Sequence, residues 1–179
     1  MLELKLKDNL FLRTFELEHA QELSQLVDRN RDRLRQWMPW VDGTKSVQDT
    51  SNFIQMTMDQ KAQNNGFQCG IWQQERLIGV VGFHKVDWAN RNVSLGYWLD
   101  QDASGQGIMT CAVSKLVHYA FHDMSLNRVE ISCAPANIKS NAIPRRLGFK
   151  MEGVLRHKEW LYDHFVDHNI YAILHDEFN

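Results

Sequence analysis

Hydrophobic residues recur along the chain with two different spacings, and the spacing changes from segment to segment. Some segments alternate apolar and polar residues, as half-buried β-strands do. Others repeat an apolar residue every three or four positions, as amphipathic helices do. In chain order the segments predict the elements β, α, α, α, β, β, β, α, β, α, β, β. We therefore expect a mixed α/β fold built around one sheet.

The clearest signals lie after the middle of the chain. Residues 92–99 alternate cleanly, with Val93 and Leu95 on one face and Ser94 and Gly96 on the other. A single helical stripe then runs through a long set of apolar positions: Ile108, Ala112, Val113, Leu116, Val117, Ala120, Phe121 and Met124. These two segments predict a strand followed directly by a long helix.

The remaining elements are shorter. The first half of the chain predicts a strand at residues 10–13, helices at 20–27 and 34–38, a helix from Ser46 to Gln63, and a hairpin of strands at 67–73 and 77–86. The second half adds a buried strand at 128–133, a helix at 140–147 with Ser140 as its N-cap, and two late strands, one from 149 and one at 165–174.

Composition narrows the class of protein. A length of 179 residues predicts one domain that spans residues 1–179 and buries its own core. The formal net charge of -2 does not force a basic face, which argues against a dedicated nucleic-acid binder, although basic residues can still cluster around a small anion. Three widely separated cysteines favour a reducing compartment. The N-terminal residues lack the apolar run of a signal peptide, and no segment is long enough to span a membrane. We expect a soluble cytoplasmic protein.

Two glycines stand between the strand and the long helix, in the stretch DQDASGQGIMT at residues 100–110. Gly105 and Gly107 fit a simple strand-to-helix turn, and they also fit an anion site at a helix N-terminus. The motifs of nucleotide binding do not match, because no Lys follows the glycines and position 110 is Thr rather than a further Gly. The turn alone leaves both interpretations open.

The sequence around this turn resembles a known family. GYWLDQDASGQGIMT, the helix after it, and NIKSNAIPRRLGFKMEG are similar to the GCN5-related N-acetyltransferases (GNAT), and more narrowly to the branch that acetylates ribosomal-protein N-termini. The resemblance covers nearly the whole chain. It implies a single mixed, mostly antiparallel sheet with a splayed pair of central strands. The family's turn often begins with Arg or Gln, whereas this chain has Asp102 there.

The resemblance also implies acetyl-CoA as the acetyl donor, with no metal. Its pyrophosphate is expected on the backbone amides of the turn, and its pantetheine arm on the edge of the strand at residues 92–99. The cofactor-binding residues expected from the family are Trp98, Leu99, Gly105, Gln106, Gly107, Ile108, Met109, Thr110 and Asn137. For Asn137 a plain turn after Pro135 is the alternative interpretation.

Acetyl transfer to an amine needs a base for the amine and an acid for the leaving thiolate. Many relatives place a Tyr acid where this chain has Pro144. The ribosomal-protein branch resembles this chain in lacking it, and there the resemblance implies Ser140 as acid and Glu159 as base. Ser140 fits a helix N-cap equally well. Glu159, placed between strands beside Trp160, also fits a solvated loop residue.

Two tryptophans offer aromatic contacts. Trp37 and Trp40 either line a groove for the acetyl acceptor or belong to the core.

Two pairs of histidines raise the question of a metal site. His118 and His122 are four residues apart on a helix, and His164 and His168 are four residues apart in a strand. No Cys or carboxylate completes a metal-binding set with them.

The acceptor is expected to be a protein N-terminus, and homodimers are common among relatives. A small amine as acceptor, such as a polyamine or an amino-sugar antibiotic, and a non-catalytic acyl-CoA-binding module are the alternatives.

Overall fold

The computed structural model describes residues 2–178. Within them eight strands form one sheet: β1 (Glu3–Lys7), β2 (Leu10–Thr14), β3 (Gln68–Gln73), β4 (Arg76–Asp87), β5 (Asn92–Leu99), β6 (Arg128–Cys133), β7 (Lys150–Leu161) and β8 (His164–Leu174). Five α-helices accompany them: α1 (Ala20–Arg29), α2 (Arg31–Arg35), α3 (Val47–Ala62), α4 (Ile108–His122) and α5 (Ile138–Arg146).

The sheet order is β1-β2-β3-β4-β5-β6-β8-β7. Every neighbouring pair is antiparallel except β5 and β6, which are parallel. On one face, the apolar stripe of α4 packs against the inward residues of the central strands. On the other face, α1 and α3 cover β3 and β4. None of the helices in residues 2–178 has the length and apolar character needed to cross a lipid bilayer.

The two parallel strands separate partway along their length. Their register pairs Asn92 with Arg128 and ends where Leu95 meets Ile131. Beyond this point β5 continues to Leu99 and β6 to Cys133 without pairing to each other. The strands therefore enclose a V-shaped gap in the middle of the sheet, as the family resemblance predicts.

The element order from the sequence is correct except at the N-terminus, where β1 was missed. Its residues alternate Leu with Lys and Glu, and the strand lies at the edge of the sheet, where charged residues are typical. The short helix α2 ends at Arg35, so Trp37 and Met38 follow it. The helix α3 begins as predicted, because Ser46 accepts the N–H of Asp49 at 3.2 Å.

Candidate active site

The polar turn after β5 is built on a buried carboxylate. The side chain of Asp100 is only 3% exposed. It accepts hydrogen bonds from Arg29 at 2.9 and 3.0 Å, from Asn30 at 3.0 Å and from Arg76 at 3.0 Å. Burial alone would raise the pKa of Asp100, but the hydrogen bonds from Asn30 and Arg29 outweigh it, so the pKa lies below its ordinary value. The anchored carboxylate fixes the end of β5.

The turn then passes through two glycines that leave the start of α4 open. Gly105 and Gly107 have φ angles of 82° and 74°, in the left-handed region that favours glycine. A Cβ at either position would meet no atom of residues 2–178 within 4 Å. In the same part of the chain, the first α4 amide with a backbone acceptor is that of Cys111, which donates to Gly107 O at 3.0 Å. The amides of residues 108–110 are therefore available to an anion.

A basic side chain that the sequence did not single out reaches this helix start. Arg146, near the end of α5, donates from Nη1 to Oγ1 of Thr110 at 3.3 Å. Its guanidinium thus lies beside the free amides of α4, on the surface of the protein. Asp102, in the same turn, is 80% exposed, and Arg76 lies 4.0 Å from its carboxylate. The three residues after Arg146, Leu-Gly-Phe, are part of the family motif, but the sequence did not point to the arginine before them.

The gap exposes one backbone edge of β5. The N–H of Asp100 donates to Ile78 O on β4 at 2.6 Å, and hydrogen-bonded residues recur every second position in an antiparallel ladder. Trp98 therefore turns its backbone groups toward β4, whereas Tyr97 and Leu99 turn theirs toward the gap. The predicted backbone contact of Trp98 with pantetheine does not fit this register, whereas the backbone groups of Leu99 do face the gap.

One of the edge groups is already engaged within the protein. The guanidinium of Arg33, on α2, donates to the carbonyl of Leu99 and to Oδ1 of Asn30 at 3.0 Å. These contacts tie α2 to the rim of the gap. They leave the N–H of Leu99, rather than its carbonyl, as the group that faces the space between the strands.

The inner end of the gap holds three polar side chains in contact. The Oγ of Ser140 lies 3.1 Å from the Sγ of Cys133 and donates to the Tyr97 hydroxyl at 3.4 Å. That hydroxyl in turn donates to the carbonyl of Ser140 at 2.9 Å. Burial raises the pKa of both the Cys133 thiol and the Tyr97 hydroxyl. All three groups therefore carry their protons at neutral pH.

The position of Ser140 corrects the expected start of α5. The helix begins directly after Asn137, whose Oδ1 accepts the N–H of Ser140 at 3.2 Å. Asn137 is thus the N-cap, and the predicted N-cap role of Ser140 is wrong. Asn141 holds the helix onto β8, because its Oδ1 accepts hydrogen bonds from Asn169 at 2.8 Å and from the Tyr171 hydroxyl at 2.9 Å. Because Asn137 is the N-cap, the hydroxyl of Ser140 does not cap the helix.

Glu159 lies within β7 and not between strands, which corrects its predicted setting. Its carboxylate is 30% exposed, and its Oε2 lies 3.3 Å from Nε2 of His168 on β8. The neighbouring Trp160 packs edge-on against Phe165 instead, with ring centroids 4.8 Å apart. His168 also contacts Ser132 on β6. Because Ser132 and Cys133 are consecutive in a strand, their side chains point to opposite faces, so Glu159 and Ser140 approach the sheet from opposite sides.

Aromatic residues line the face of the gap that carries Glu159. Trp98 packs against Trp40, with ring centroids 6.2 Å apart, and Trp40 stays 37% exposed. The imidazole of His84 lies directly over Gly96, where a Cβ would come within 2.8 Å of its Nε2. Burial lowers the pKa of His84, so its ring is neutral at pH 7. Of the two tryptophans predicted for an acceptor groove, Trp40 reaches this face.

The histidine pairs lie apart from the gap or serve other contacts. His118 and His122 stack on α4 with centroids 4.1 Å apart. Across residues 2–178 no three His, Cys, Asp or Glu side chains are grouped closely enough to hold a metal ion.

Comparison with known sequences identifies the fold. The sequence profile of the family described as acetyltransferase (GNAT) domain matches residues 9–150. The chain belongs to the GNAT acetyltransferase family. Its mixed sheet, with one parallel pair that splays, is the sheet of that family, which confirms the fold that the family resemblance implies.

The relatives of this acetyltransferase include enzymes of the ribosomal-protein branch. The ribosomal-protein-serine acetyltransferase of Escherichia coli is 33% identical, over 97% of each chain. Among solved structures, the ribosomal L7/L12 α-N-protein acetyltransferase in complex with coenzyme A superposes with a TM-score of 0.93 at 29% identity, over 97% of this chain and 98% of that one. The microcin C7 self-immunity acetyltransferase, in complex with acetyl-CoA and AMP, gives 0.91 at 32% identity, over 96% and 95%.

The family establishes the donor and the class of enzyme. This acetyltransferase is an N-acetyltransferase that uses acetyl-CoA. The open edge of β5 leads into the turn at Gly105 and Gly107, and the turn leads into the free amides of α4. Ser140 lies at the inner end of the gap beside that edge.

Proposed function

We propose that the enzyme transfers the acetyl group of acetyl-CoA to the N-terminal α-amine of a protein, with a ribosomal protein as the natural acceptor. The observation that carries this proposal is the placement of Glu159 and Ser140 on opposite sides of the gap. One group serves the incoming amine, and the other serves the leaving thiolate. The names of the relatives in the ribosomal-protein branch support the acceptor class.

Ser140 fits the role of general acid. Its Oγ already lies 3.1 Å from a sulfur atom, that of Cys133, so the hydroxyl is placed where it can protonate a second sulfur nearby. The coenzyme A in the complex of the L7/L12 enzyme is joined to a cysteine of that enzyme by a disulfide. That bond supports our placement of the donor's sulfur beside Cys133 in this chain.

Glu159 fits the role of base, directly or through one water molecule. A free α-amine has a pKa of about 7.7–8.0, whereas a lysine side chain has about 10.4. At neutral pH roughly a tenth of the α-amines are already unprotonated. A carboxylate such as Glu159, which is 30% exposed, is therefore a strong enough base for an α-amine acceptor. An α-amine acceptor therefore matches this site better than a lysine side chain does.

The donor surface has residues for each part of acetyl-CoA. We assign the pyrophosphate to the amides of Gln106, Ile108, Met109 and Thr110, with Gly105 and Gly107 allowing close approach, and the pantetheine to the edges of Tyr97 and Leu99. Arg146 adds positive charge beside Thr110. Asn137 supports the site through its cap on α5, and its amide N–H₂ group remains available to the donor's cysteamine end.

A small amine is the second candidate for the acceptor. The observation that favours it is the similarity to the microcin C7 self-immunity enzyme, whose complex contains AMP. Trp40, exposed beside the gap, and the partly buried Trp98 offer rings that stack on a planar ligand as well as on a peptide.

The deciding experiment is a side-by-side acceptor screen. The enzyme is incubated with acetyl-CoA and peptides that begin with Ser or Ala, and thiol release is followed with mass spectrometry of the product. The same peptides with a blocked N-terminus and an internal Lys are the matched control. Acetylation confined to the free N-terminus supports the proposal. Faster turnover of a polyamine, an amino sugar or a nucleotide-linked amine than of every peptide contradicts it.

We propose a homodimer for the working enzyme. The edge strand β7 leaves several large apolar side chains exposed, together with one from β8: Met151, Val154, Leu155, Trp160 and Phe165. A second copy of the chain would cover this patch. Sedimentation of the wild type and of Val154→Lys tests it, with a dimer expected for the first and a monomer for the second.

The proposed substrate places the enzyme in the cytoplasm, and neither a membrane nor direct binding to nucleic acid is part of the proposal.

A further inference from the structure

The carboxylate of Glu159 has a neighbour to which neither the family resemblance nor the chemistry above assigns a role. Nε2 of His168 lies 3.3 Å from Oε2 of Glu159. The other ring nitrogen, Nδ1, lies 2.7 Å from the hydroxyl of Ser132. Both nitrogens of the imidazole thus face a partner, and the ring bridges β7 and β6 across the strand between them.

His168 is less exposed than Glu159, as expected of a residue that holds another residue in place. His168 is 14% exposed, whereas Glu159 is 30% exposed. Within residues 2–178, Nε2 of His168 is buried and makes no well-aligned hydrogen bond. The contact with the carboxylate is close but out of line. Catalytic hydrogen bonds are commonly long in the free enzyme and tighten when substrate binds.

The backbone of β7 is distorted at the point that brings Glu159 to His168. Four residue steps separate Leu155 from Glu159, but only two separate their register partners, His168 and Val166. The two extra residues form a bulge. It contains His157 at φ 51°, and its backbone N–H donates to Oδ1 of Asp167 at 2.7 Å. The bulge shifts the register, so that Glu159 pairs with Val166 rather than with His164. This shift brings Glu159 two residues closer to His168, on the same face of the sheet.

We propose that His168 is a positioning residue for Glu159. With Nδ1 turned to the hydroxyl of Ser132, Nε2 carries the N–H that faces Glu159. That N–H donates to the carboxylate of Glu159 once the acceptor is bound. One carboxylate oxygen is then held by His168, and the other faces the acceptor amine. The proposal rests on the proposed function of Glu159 as base.

The test compares two substitutions of similar size. His168→Gln keeps an N–H donor at the end of the side chain, whereas His168→Met has none. We expect His168→Met to lower kcat by about 10- to 100-fold, the size of a loss from a misplaced catalytic group, with KM for acetyl-CoA unchanged. His168→Gln should recover most of the activity. Equal losses in both variants, or a loss in neither, would overturn the proposal.

A double-mutant cycle separates positioning from a structural role. Residues that act as a unit are not additive, so Glu159→Gln combined with His168→Met should lose no more than Glu159→Gln alone. Additive losses contradict the proposal. Ser132→Ala should lower kcat by a smaller factor than His168→Met, and a larger loss would also contradict it.

The same experiment distinguishes the two levels of the argument. If Glu159→Gln leaves kcat unchanged, the assignment of Glu159 as base fails, and the role of His168 fails with it. If Glu159→Gln lowers kcat while His168→Met does not, only the positioning role fails. His118→Ala, an exposed histidine on α4, is the matched control and should behave as the wild type. Thermal melts of each variant show that the comparison is made between folded proteins.

Discussion

The side chain of Asn137 accepts the backbone N–H of Ser140 at 3.2 Å, so that the cap of α5 and the proposed acid are two different residues. Their substitutions should therefore separate. Ser140→Ala leaves the cap in place, and we expect kcat to fall by about 100-fold or more with little change in stability. Asn137→Ala should cost about 1 kcal/mol of unfolding free energy.

Steady-state kinetics and urea denaturation of the two variants check this separation. A Ser140→Ala enzyme with normal kcat would remove Ser140 from the chemistry. A large stability loss in that variant would mean that the hydroxyl supports the helix after all.

The thiol of Cys133 should take no covalent part in transfer. Burial raises its pKa, so at neutral pH the group is a thiol and a poor nucleophile. We expect iodoacetamide to modify Cys133 appreciably only when the pH rises well above the ordinary range for a cysteine. Cys133→Ala should retain turnover. Mass spectrometry of the enzyme after mixing with acetyl-CoA checks the same point, and an acetylated Cys133 would show that transfer proceeds through the enzyme.

Arg146 should contribute to donor affinity through charge. Its guanidinium lies beside the free amides of α4, at 3.3 Å from Thr110. We expect Arg146→Ala to weaken acetyl-CoA binding severalfold at low salt and less at high salt, because ions screen an exposed charge. Titration calorimetry at two salt concentrations measures it. Arg145→Ala is the matched control, since that guanidinium lies over the ring of Tyr171 at 5.9 Å. Equal effects of the two substitutions would exclude a specific role.

Asp102 should oppose the donor slightly. The side chain is 80% exposed and brings a negative charge to the turn that we assign to the pyrophosphate. Asp102→Gln should tighten acetyl-CoA binding severalfold at low salt and leave kcat unchanged. If the affinity does not change, the cradle works through its backbone alone.

Asp100 should control the stability of the turn. Removing one partner from a buried ion pair typically costs about 3–5 kcal/mol, and we expect a loss of this order for Asp100→Asn at pH 7. Burial opposes ionisation of Asp100, but hydrogen bonds from Asn30 and Arg29 hold its pKa below the ordinary value. Its contribution is therefore present above the unfolded pKa of about 3.9 and is lost as the pH falls through the lower, folded pKa.

Urea denaturation at neutral and acidic pH measures both effects. The difference in stability between wild type and Asp100→Asn should shrink as the pH drops below 4. A difference that is independent of pH would mean that the charge of Asp100 is not what anchors the turn.

The sequence predicted the parts of this fold whose signals are local. The strand β5, the start of α4 and the strand β6 were placed correctly, because a long alternation or a long apolar stripe fixes an element without reference to its neighbours. The cap of α5 was misplaced, because Asn137 and Ser140 are both good N-cap residues and only the course of the chain chooses between them.

Contacts between distant residues could not be predicted in this way. Ser132 and His168 are 36 positions apart, and the bulge that brings Glu159 to His168 depends on how β7 pairs with β8. The resemblance to the family supplied Glu159 and Ser140, but neither their surroundings nor the guanidinium of Arg146. The sequence could not show that the backbone groups of Trp98 face β4, because this depends on the register of β5 against β4.

The early end of the pairing between β5 and β6 has a mechanical consequence. Five strands on one side of the molecule and three on the other share only the four paired positions from Asn92 to Leu95, and α4 links them across one face. Two groups of strands joined by so short a pairing can move relative to each other. A molecule that lies in the gap and contacts both groups would restrict this motion, so the bound substrate itself makes the enzyme more rigid.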